Sequence, residues 1–265
     1  MANVHCAMDQ YADDSTLYAT GKTINVINDV LESNCQVVSN WMAENMLQLN
    51  ADKTHIITLG TQERLALPGN KVTVSMDGIL LEEDPTHRET LLGITVDANL
   101  KWHGQIENLL GKLKTRLAGL AHIRYVLPYN LRKVVSEGMF NSVLGYCLPL
   151  FGGCDAGEIQ DLQILQNKAA QLVTQSPPRA IRNPMYDRLG WLTVNQLVAY
   201  YTLLAVYRVR LTGEPEYLAE SLCNDNRNGH IIVQTTKLTL LKNHSNSEGL
   251  ASGMNCPSLS EIRKI

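Results

Sequence analysis

The pattern of hydrophobic and polar positions changes near residue 100. Before that point, turn residues separate short runs rich in β-forming residues, at 4–11, 15–18, 56–59, 72–76, 79–81 and 91–96. Apolar residues between 24 and 42 instead recur every three or four positions and predict one amphipathic helix that ends near Met46. Asp77-Gly78 is typical of a tight hairpin turn. The order β-β-α-β-β-β-β predicts an α+β fold with antiparallel strands.

From residue 102 onward the apolar spacing is helical and predicts four helices. The first lies between Trp102 and Pro128, and the second between residues 130 and 146. The third lies between the N-cap Asp155 and the break at 176–178, and the fourth between residues 191 and 211. Gly213 stands just past the last of them, where helices commonly end. After Cys223 the sequence turns polar, and we expect weaker order there.

The composition is that of an ordinary globular chain, and 265 residues are enough for a sizeable core. The sequence has no run of 18 apolar residues and no signal-peptide pattern, so we expect no membrane span and no membrane partner. The six cysteines form no C-x-x-C pair. Their scatter argues against a zinc site and favours reduced thiols in an intracellular protein.

The net charge of −3 conceals an uneven distribution of charge along the chain. Residues 1–99 carry 5 basic and 14 acidic side chains, residues 100–133 carry 7 basic and 1 acidic, and residues 134–265 carry 11 of each. A protein that grips nucleic acid needs local positive charge rather than a high overall charge. The middle segment can supply that charge, although a lysine-rich helix face can equally be a solvated surface.

Two adjacent carboxylates, Asp13 and Asp14, stand between the first two β-rich runs. Side chains alternate between the faces of a strand, but at a tight turn that rule relaxes and both carboxylates can approach one divalent ion. Mg²⁺ is usually held by one or two carboxylates together with substrate phosphates. The pair therefore suits a nucleotidyl-transfer site, whereas the alternative interpretation is a solvated turn, in which Asp is common.

The residues around this pair, Gln-Tyr-Ala-Asp-Asp-Ser-Thr-Leu-Tyr at 10–18, resemble the metal-binding hairpin of reverse transcriptases, especially those of non-LTR retrotransposons. The resemblance implies that Asp13 is the principal metal ligand and Asp14 a second ligand or a support. It implies that Tyr11 shapes the hairpin and contacts the primer end or the nucleotide. The implied cofactor is Mg²⁺, with Mn²⁺ as an alternative.

Two further segments resemble motifs of the same family. Asn50-Ala51-Asp52-Lys53-Thr54 has the Asn-x-x-Lys-Thr form that follows the metal hairpin and one helix, and Lys53 would neutralise or protonate the pyrophosphate leaving group. Residues 91–97 and 100–103 resemble the primer grip, in which Gly93 would permit close backbone approach and Trp102 recurs. The alternatives are a solvent-facing lysine and a core strand with a glycine bulge.

Helical motifs extend the resemblance over nearly the whole chain. Gln163-x-x-Gln166-Asn167-Lys168-Ala169-Ala170 and Leu189-Gly190-Trp191-Leu192 look like helices downstream of the polymerase core, and 254–263 looks like an altered family ending in which Met254 replaces Trp. These matches indicate lineage without implying a catalytic role, and the alternative is simple helix packing.

The resemblance implies a C-terminal part of a polymerase: a partial antiparallel palm sheet with one packed helix, an all-α thumb and a helical C-terminal region. The predicted segments are 1–100, palm; 101–175, thumb-like; 176–222, helical extension; and 223–265, a poorly ordered tail. A further metal-binding aspartate is expected upstream of Tyr11, where Asp9 is too close to serve. We therefore expect the fingers to be missing and the isolated chain to be inactive.

The partners implied by the family are an RNA template and a DNA primer, in the cytoplasm and nucleus. Candidate contacts to the nucleic-acid backbone are the cationic side chains Lys101, Lys112, Lys114, Arg116 and Arg124. The alternative hypothesis is a remnant of a mobile element that binds nucleic acid without catalysis or is inert. Hydrolase and NTPase functions have no support, because no G-x-S-x-G, P-loop or H-E-x-x-H motif is present.

Overall fold

The computed structural model describes residues 6–48, 50, 53–67, 69, 71–76, 78–177, 179–225 and 230–233. The chain divides into two compact units, residues 1–108 and 109–265, and the division falls within a long helix. The predicted limits at 100, 175 and 222 stay a prediction. The motif at 254–263 lies outside the described residues.

The first unit is built from antiparallel hairpins and one long helix. Its elements are β1 (Cys6–Tyr11), β2 (Asp14–Ala19), α1 (Ile24–Glu44), α2 (Gln62–Leu65), β3 (Val74–Met76), β4 (Ile79–Leu81), β5 (Arg88–Leu91) and β6 (Ile94–Asp97). β1 pairs with β2, β3 with β4 and β5 with β6, each as a two-stranded sheet. The predicted α+β class with antiparallel strands is confirmed.

The core of this unit lies where α1 meets β3 and β4. Its buried members are Cys35, Val72, Val74, Met76 and Leu81, with partly buried Leu17, Ile24, Ile27, Leu31, Val38 and Ile56 around them. The α1 members recur every three or four residues, so one face of the helix is covered. Burial also raises the pKa of the Cys35 thiol, a free cysteine at the centre of this cluster.

Two predicted strands of the first unit are wrong in detail. Residues 56–59 form no strand; the backbone N–H of Thr58 instead donates to Glu83 Oε1 at 2.9 Å. Residues 91–96 are not one strand but the inner part of the β5–β6 hairpin, which turns at Leu92 and Gly93. The predicted hairpin turn is confirmed by the pairing of Met76 with Ile79 and by a φ of 77° at Gly78, whereas Asp77 lies outside the described residues.

Helices dominate the remainder of the chain. They are α3 (His103–Ile123), α4 (Tyr129–Ser136), a π-helical turn (Glu137–Asn141), α5 (Ser142–Gly145), α6 (Leu148–Phe151), α7 (Ala156–Thr174), α8 (Arg182–Leu189), α9 (Val194–Thr212) and α10 (Glu216–Ser221). A last hairpin pairs β7 (Leu222–Asp225) with β8 (His230–Val233). The predicted helical region is confirmed, although sequence analysis missed α6, α8 and α10.

Fully buried apolar side chains of the second unit come from several helices and include Phe140, Leu144, Leu148, Phe151, Leu162 and Leu189. The predicted helix at 130–146 is observed as α4, the π-helical turn and α5. The predicted helix at 191–211 begins later, at Val194, because Thr193 and Gln196 form a capping box there. It ends where predicted, with Gly213 in the left-handed region at a φ of 72°.

By length and composition alone, one stretch of the described residues could cross a membrane, residues 182–212. That stretch comprises two helices, because α8 stops at the left-handed Gly190 and α9 starts anew at its capping box. Core helices of proteins without membrane spans pass the same criterion, so the observation is weak evidence. The expectation of no membrane partner stays a prediction.

Candidate active site

The acidic pair lies at the tip of the β1–β2 hairpin. Tyr11 pairs with Asp14 across the two strands, so the connecting loop consists of only two residues, Ala12 and Asp13. Asp13 therefore belongs to the turn, and Asp14 is the first residue of the returning strand. The two carboxylates stand on adjacent residues of a tight turn, as the sequence predicted.

Ala12 carries the conformational strain of this turn. Its φ is 54°, in the left-handed region that a residue with a Cβ rarely adopts. Such a conformation costs about 1–3 kcal/mol and persists only where the surrounding structure imposes it. Here the strands impose it, and the side-chain amide of Gln10 donates to the Ala12 carbonyl at 3.3 Å. Strain of this kind concentrates at active sites, which makes it a reason to test the turn for function.

The tip of the β1–β2 hairpin is open to solvent, whereas β2 packs against the core further along. Asp13 and Asp14 are exposed, and Tyr11 is 69 % exposed. Further along β2, the side chain of Leu17 packs against the buried cluster formed by α1, β3 and β4. The hairpin thus presents its carboxylates to solvent from a strand that is held by the core.

The β1–β2 turn offers two carboxylates, those of Asp13 and Asp14, as candidate metal ligands. Within the described part of the chain, no three side chains of Asp, Glu, His or Cys come together closely enough to hold a metal ion. Two carboxylates suffice for an Mg²⁺ ion that keeps several waters and takes its remaining ligands from substrate phosphates. They do not by themselves provide a closed protein site.

Lys53 lies in a short turn that follows α1. Its backbone N–H donates to the Asn50 carbonyl at 3.1 Å, and the Thr54 hydroxyl donates to the same carbonyl at 2.9 Å. These bonds give Asn50 and Thr54 a local structural role, and Lys53 projects as an exposed side chain. Among the described residues, the structure shows no ion pair between Lys53 and the acidic pair. The catalytic role of Lys53 stays a prediction.

Gly93 forms part of a tight turn, a structural role that sequence analysis did not predict. Leu91 pairs with Ile94, so Leu92 and Gly93 form a two-residue turn, with φ values of 49° and 79°. Positive φ at both positions is typical of the type I′ hairpin turn, in which glycine is preferred. Gly93 therefore makes this turn, rather than a bulge in a core strand.

Trp102 is fixed at the start of α3 by its backbone. Its N–H donates to the carboxylate of Asp97 at 3.1 Å, and its carbonyl accepts the first helical bond, from Ile106. Leu100 and Trp102 both have positive φ, 53° and 68°, so the link from β6 to α3 is tightly bent. Lys101 lies within this bend and is exposed.

Two buried polar residues, Asp97 and Gln105, hold this junction, and sequence analysis missed both. Asp97 caps the bend, and Gln105 Oε1 accepts the backbone N–H of Thr95 at 2.9 Å. The side-chain amide of Asn108 also donates to the Thr95 hydroxyl at 2.9 Å. No local pattern signals such bonds, because their partners stand five to thirteen residues apart in different elements.

The predicted backbone-binding cations do not form one group. Lys112, Lys114 and Arg116 are exposed on α3. Residues four apart share a helix face, so Lys112 and Arg116 are neighbours, whereas Lys114 is rotated about 200° from each. Arg124 follows the helix, with its guanidinium 4.4 Å from the centre of the Tyr125 ring. Only Lys112 and Arg116 present a paired positive surface on α3.

The structure thus brings Tyr11, Asp13 and Asp14 together in one turn, and Gly93, Lys101 and Trp102 around the junction of β5, β6 and α3. Among the described residues, no hydrogen bond or ion pair joins these two groups. The proposed contacts with a primer, a template and a nucleotide therefore stay predictions, residue by residue.

The chain is distantly similar to a known protein. No family model matches the chain, and no solved structure matches it. The chain is 22% identical over 217 residues to the "Probable RNA-directed DNA polymerase from transposon BS" of Drosophila melanogaster. The match covers 80% of this chain but 23% of the relative, so the chain spans about a quarter of that protein. The similarity supports a distant relationship to a transposon RNA-directed DNA polymerase.

Proposed function

We propose that this chain is part of the reverse transcriptase of a non-LTR retrotransposon and that its β1–β2 turn supplies carboxylates for nucleotidyl transfer. The observation that carries the proposal is the strained, exposed two-residue turn that bears Asp13 and Asp14. A two-residue hairpin turn requires positive φ whatever its role, so the exposed adjacent carboxylates, rather than the strain, distinguish this turn. The similarity to a transposon polymerase supports the same conclusion.

Asp13 and Asp14 would supply some of the ligands that a magnesium ion needs. Asp13 and Asp14 are exposed oxygen donors on one turn, and Mg²⁺ or Mn²⁺ would take its other ligands from water and from nucleotide phosphates. When bound, such an ion stabilises the charge that develops on oxygen during phosphoryl transfer. The full two-metal site of a polymerase needs a further aspartate, so we expect Asp13 and Asp14 by themselves to support negligible activity.

The other motif residues take supporting roles in this proposal. Lys53 would assist the pyrophosphate leaving group, and Tyr11 would contact the primer end or the nucleotide. The β5–β6 turn at Gly93 would lie against the primer backbone, with Lys101 and Trp102 beside it. These roles rest on the resemblance of the motifs, and the exposure of Lys53 and Tyr11 is compatible with them.

A second candidate function is binding of nucleic acid without catalysis. The observation that favours it is the exposed pair Lys112 and Arg116, which share one face of α3. Phosphate contacts by such cations require neither a metal nor Asp13. The two functions are separable by experiment, because the first needs the carboxylates and the second needs only the cations.

The first function is tested in a hybrid protein. The chain is joined to the fingers and upstream palm of a related element, and primer extension on an RNA template is measured with Mg²⁺. We expect Asp13→Asn to abolish extension, because it removes a charged metal ligand. We expect Lys53→Ala to slow extension by about 10²–10⁴-fold, the usual worth of a general acid.

Asp9→Asn is the matched control for this test. Asp9 is exposed on β1, opposite Thr16 in the same hairpin, and its substitution removes the same charge away from the turn. The control hybrid should extend the primer as well as the parent does. Undiminished extension by the Asp13→Asn hybrid would overturn the proposal, whereas a silent Lys53→Ala would remove only the role of that lysine.

A further inference from the structure

An open basic cleft of about 450 Å³ lies in the second unit, between α7 and the residues that lead into α8. Asn167, Lys168 and Gln171 line it from one face of α7, and Arg179 and Arg182 line it from the other side. None of these five residues belongs to the proposed polymerase site or to the cations of α3.

The cleft concentrates positive charge without an acidic counterpart. No Asp or Glu occurs between residues 162 and 186, where Lys168, Arg179 and Arg182 are the charged residues. All three are exposed, and in the described part of the chain none of them forms an ion pair. Three unpaired cations around one concavity attract anions, and the planar fork of arginine matches a phosphate group especially well.

A buried amide adds a directed donor to this charge. Asn167 is only 7% exposed although it lines the cleft. The backbone N–H of Val194 donates to Gln163 Oε1 at 2.8 Å, which identifies the other amide atom of Gln163 as its nitrogen. That nitrogen donates to Asn167 Oδ1 at 3.0 Å, and the Tyr186 hydroxyl donates to the same oxygen at 2.9 Å.

The orientation of the Asn167 side chain follows from these bonds. Its oxygen accepts from Gln163 and lies within hydrogen-bond distance of the Tyr186 hydroxyl, so its nitrogen is the polar atom left for the cleft. Among the described residues, the structure shows no acceptor for that nitrogen. That nitrogen keeps contact with solvent in the cleft and can donate a hydrogen bond to a ligand there.

We propose that this cleft binds a phosphate group of a nucleic-acid backbone, with Lys168, Arg179 and Arg182 neutralising its charge and the Asn167 amide donating a hydrogen bond to it. Among the described residues, no aromatic side chain lines the cleft, so we expect no base to stack there. Contacts to phosphate position a strand without reading its sequence. The proposal stands apart from the acidic turn and survives if the polymerase assignment fails.

The first test compares two matched pairs of substitutions in the full chain. Arg179→Gln with Arg182→Gln removes two cations from the cleft, and Arg208→Gln with Arg210→Gln removes two exposed arginines from α9. Binding of a fluorescent oligonucleotide is followed by anisotropy at low salt. We expect the cleft pair to weaken binding about tenfold and to flatten the dependence of log K on log salt by roughly one to two units. Equal weakening by both pairs, or no weakening by the cleft pair, would overturn the proposal.

A near-isosteric substitution tests the amide donor. Asn167→Asp keeps the oxygen that Gln163 and Tyr186 need, and it replaces the cleft-facing donor with a carboxylate oxygen that repels phosphate. Asn195→Asp, on an exposed position of α9, adds the same charge elsewhere and serves as the control. We expect about tenfold weaker oligonucleotide binding for Asn167→Asp alone, the worth of one hydrogen bond to a charged group. Equal binding by the two variants would remove Asn167 from the site.

The source of the phosphate is decided by competition. Inorganic phosphate at millimolar concentration should displace the oligonucleotide only weakly, because a strand offers several phosphates and free phosphate offers one. If inorganic phosphate perturbs the NMR signals of the cleft while the Arg179 and Arg182 substitutions leave oligonucleotide binding unchanged, the ligand is free phosphate and the nucleic-acid assignment is wrong.

Discussion

At the scale of residues, one polar network explains a motif that sequence analysis could only match by resemblance. Gln163 accepts the N–H of Val194 and contacts the hydroxyl of Tyr186 at 2.7 Å. Gln166 is fully buried, and its amide donates to the carbonyl of Leu192 at 2.9 Å. These bonds fasten the start of α9 to α7, so the two glutamines are structural.

Tyr186 is the member of this network whose removal is most informative. Its hydroxyl accepts a hydrogen bond from the side-chain amide of Gln163 and can donate one to Gln166 or Asn167. We expect Tyr186→Phe to lower the free energy of unfolding by about 1–3 kcal/mol, because it leaves buried polar groups unpaired. Urea denaturation followed by circular dichroism measures this loss. Tyr200→Phe, at a half-exposed position of α9, should cost much less.

The same tyrosine predicts a dependence of stability on pH. Burial raises the pKa of Tyr186 to about 12, while the hydrogen bond from Gln163 and the charge of Arg182 act in the opposite direction. Folding favours the neutral phenol, so its contribution is complete below about pH 10 and is lost as the pH rises from about 10 to 12. Tyr186→Phe should lack that part of the alkaline loss. An identical alkaline slope in both proteins would contradict the burial of this hydroxyl.

Local sequence patterns encode some of these residue contacts and not others, for a physical reason. Asp13 and Asp14 are adjacent in the chain, so a local pattern sufficed to place them in one turn. Asn167 and the network around it depend on partners about twenty to thirty residues away in other helices. Such pairings are decided by how the helices pack, which no local pattern encodes.

At the scale of elements, periodicity predicted the long helices α1, α3 and α7 and failed on short segments. The run 91–96 is apolar enough for one strand, but the glycine at 93 permits the turn that divides it into a hairpin. The run 56–59 has β-forming residues and yet lacks a strand partner, because Thr58 bonds to the Glu83 side chain instead. Strand formation requires a neighbour, and propensity alone does not supply one.

Gly93 and Gly111 make a matched pair for testing this turn. Gly93 has a φ of 79°, where an alanine is strained, whereas Gly111 is exposed in the middle of α3 with nothing within 4 Å of an added Cβ. We expect Gly93→Ala to destabilise the chain by about 1 kcal/mol and Gly111→Ala to stabilise it by up to about 1 kcal/mol. Thermal and urea unfolding of the two variants measure both changes, and a neutral Gly93→Ala would contradict the hairpin.

At the scale of the whole molecule, charge is segregated in a way that no single element shows. The acidic residues concentrate before residue 100, whereas the segment 100–133 carries 7 basic side chains and 1 acidic. The proposed metal-binding turn and the proposed phosphate-binding helix lie in these two oppositely charged segments. The proposed binding of nucleic acid by α3 would rest on this local positive charge and would not require a high overall charge.

The structure refines which cations of α3 should matter for that binding. Lys112 and Arg116 share a face, and Lys114 lies about 200° away, so one nucleic-acid strand cannot contact all three equally. We expect Lys112→Ala with Arg116→Ala to flatten the salt dependence of primer–template binding by about two units, at roughly 0.9 per lost phosphate contact. Lys114→Ala should change the slope by much less than one unit. The measurement is fluorescence anisotropy over a salt series with the full chain, and equal effects per residue at 112, 114 and 116 would indicate a merely solvated helix that binds through diffuse charge.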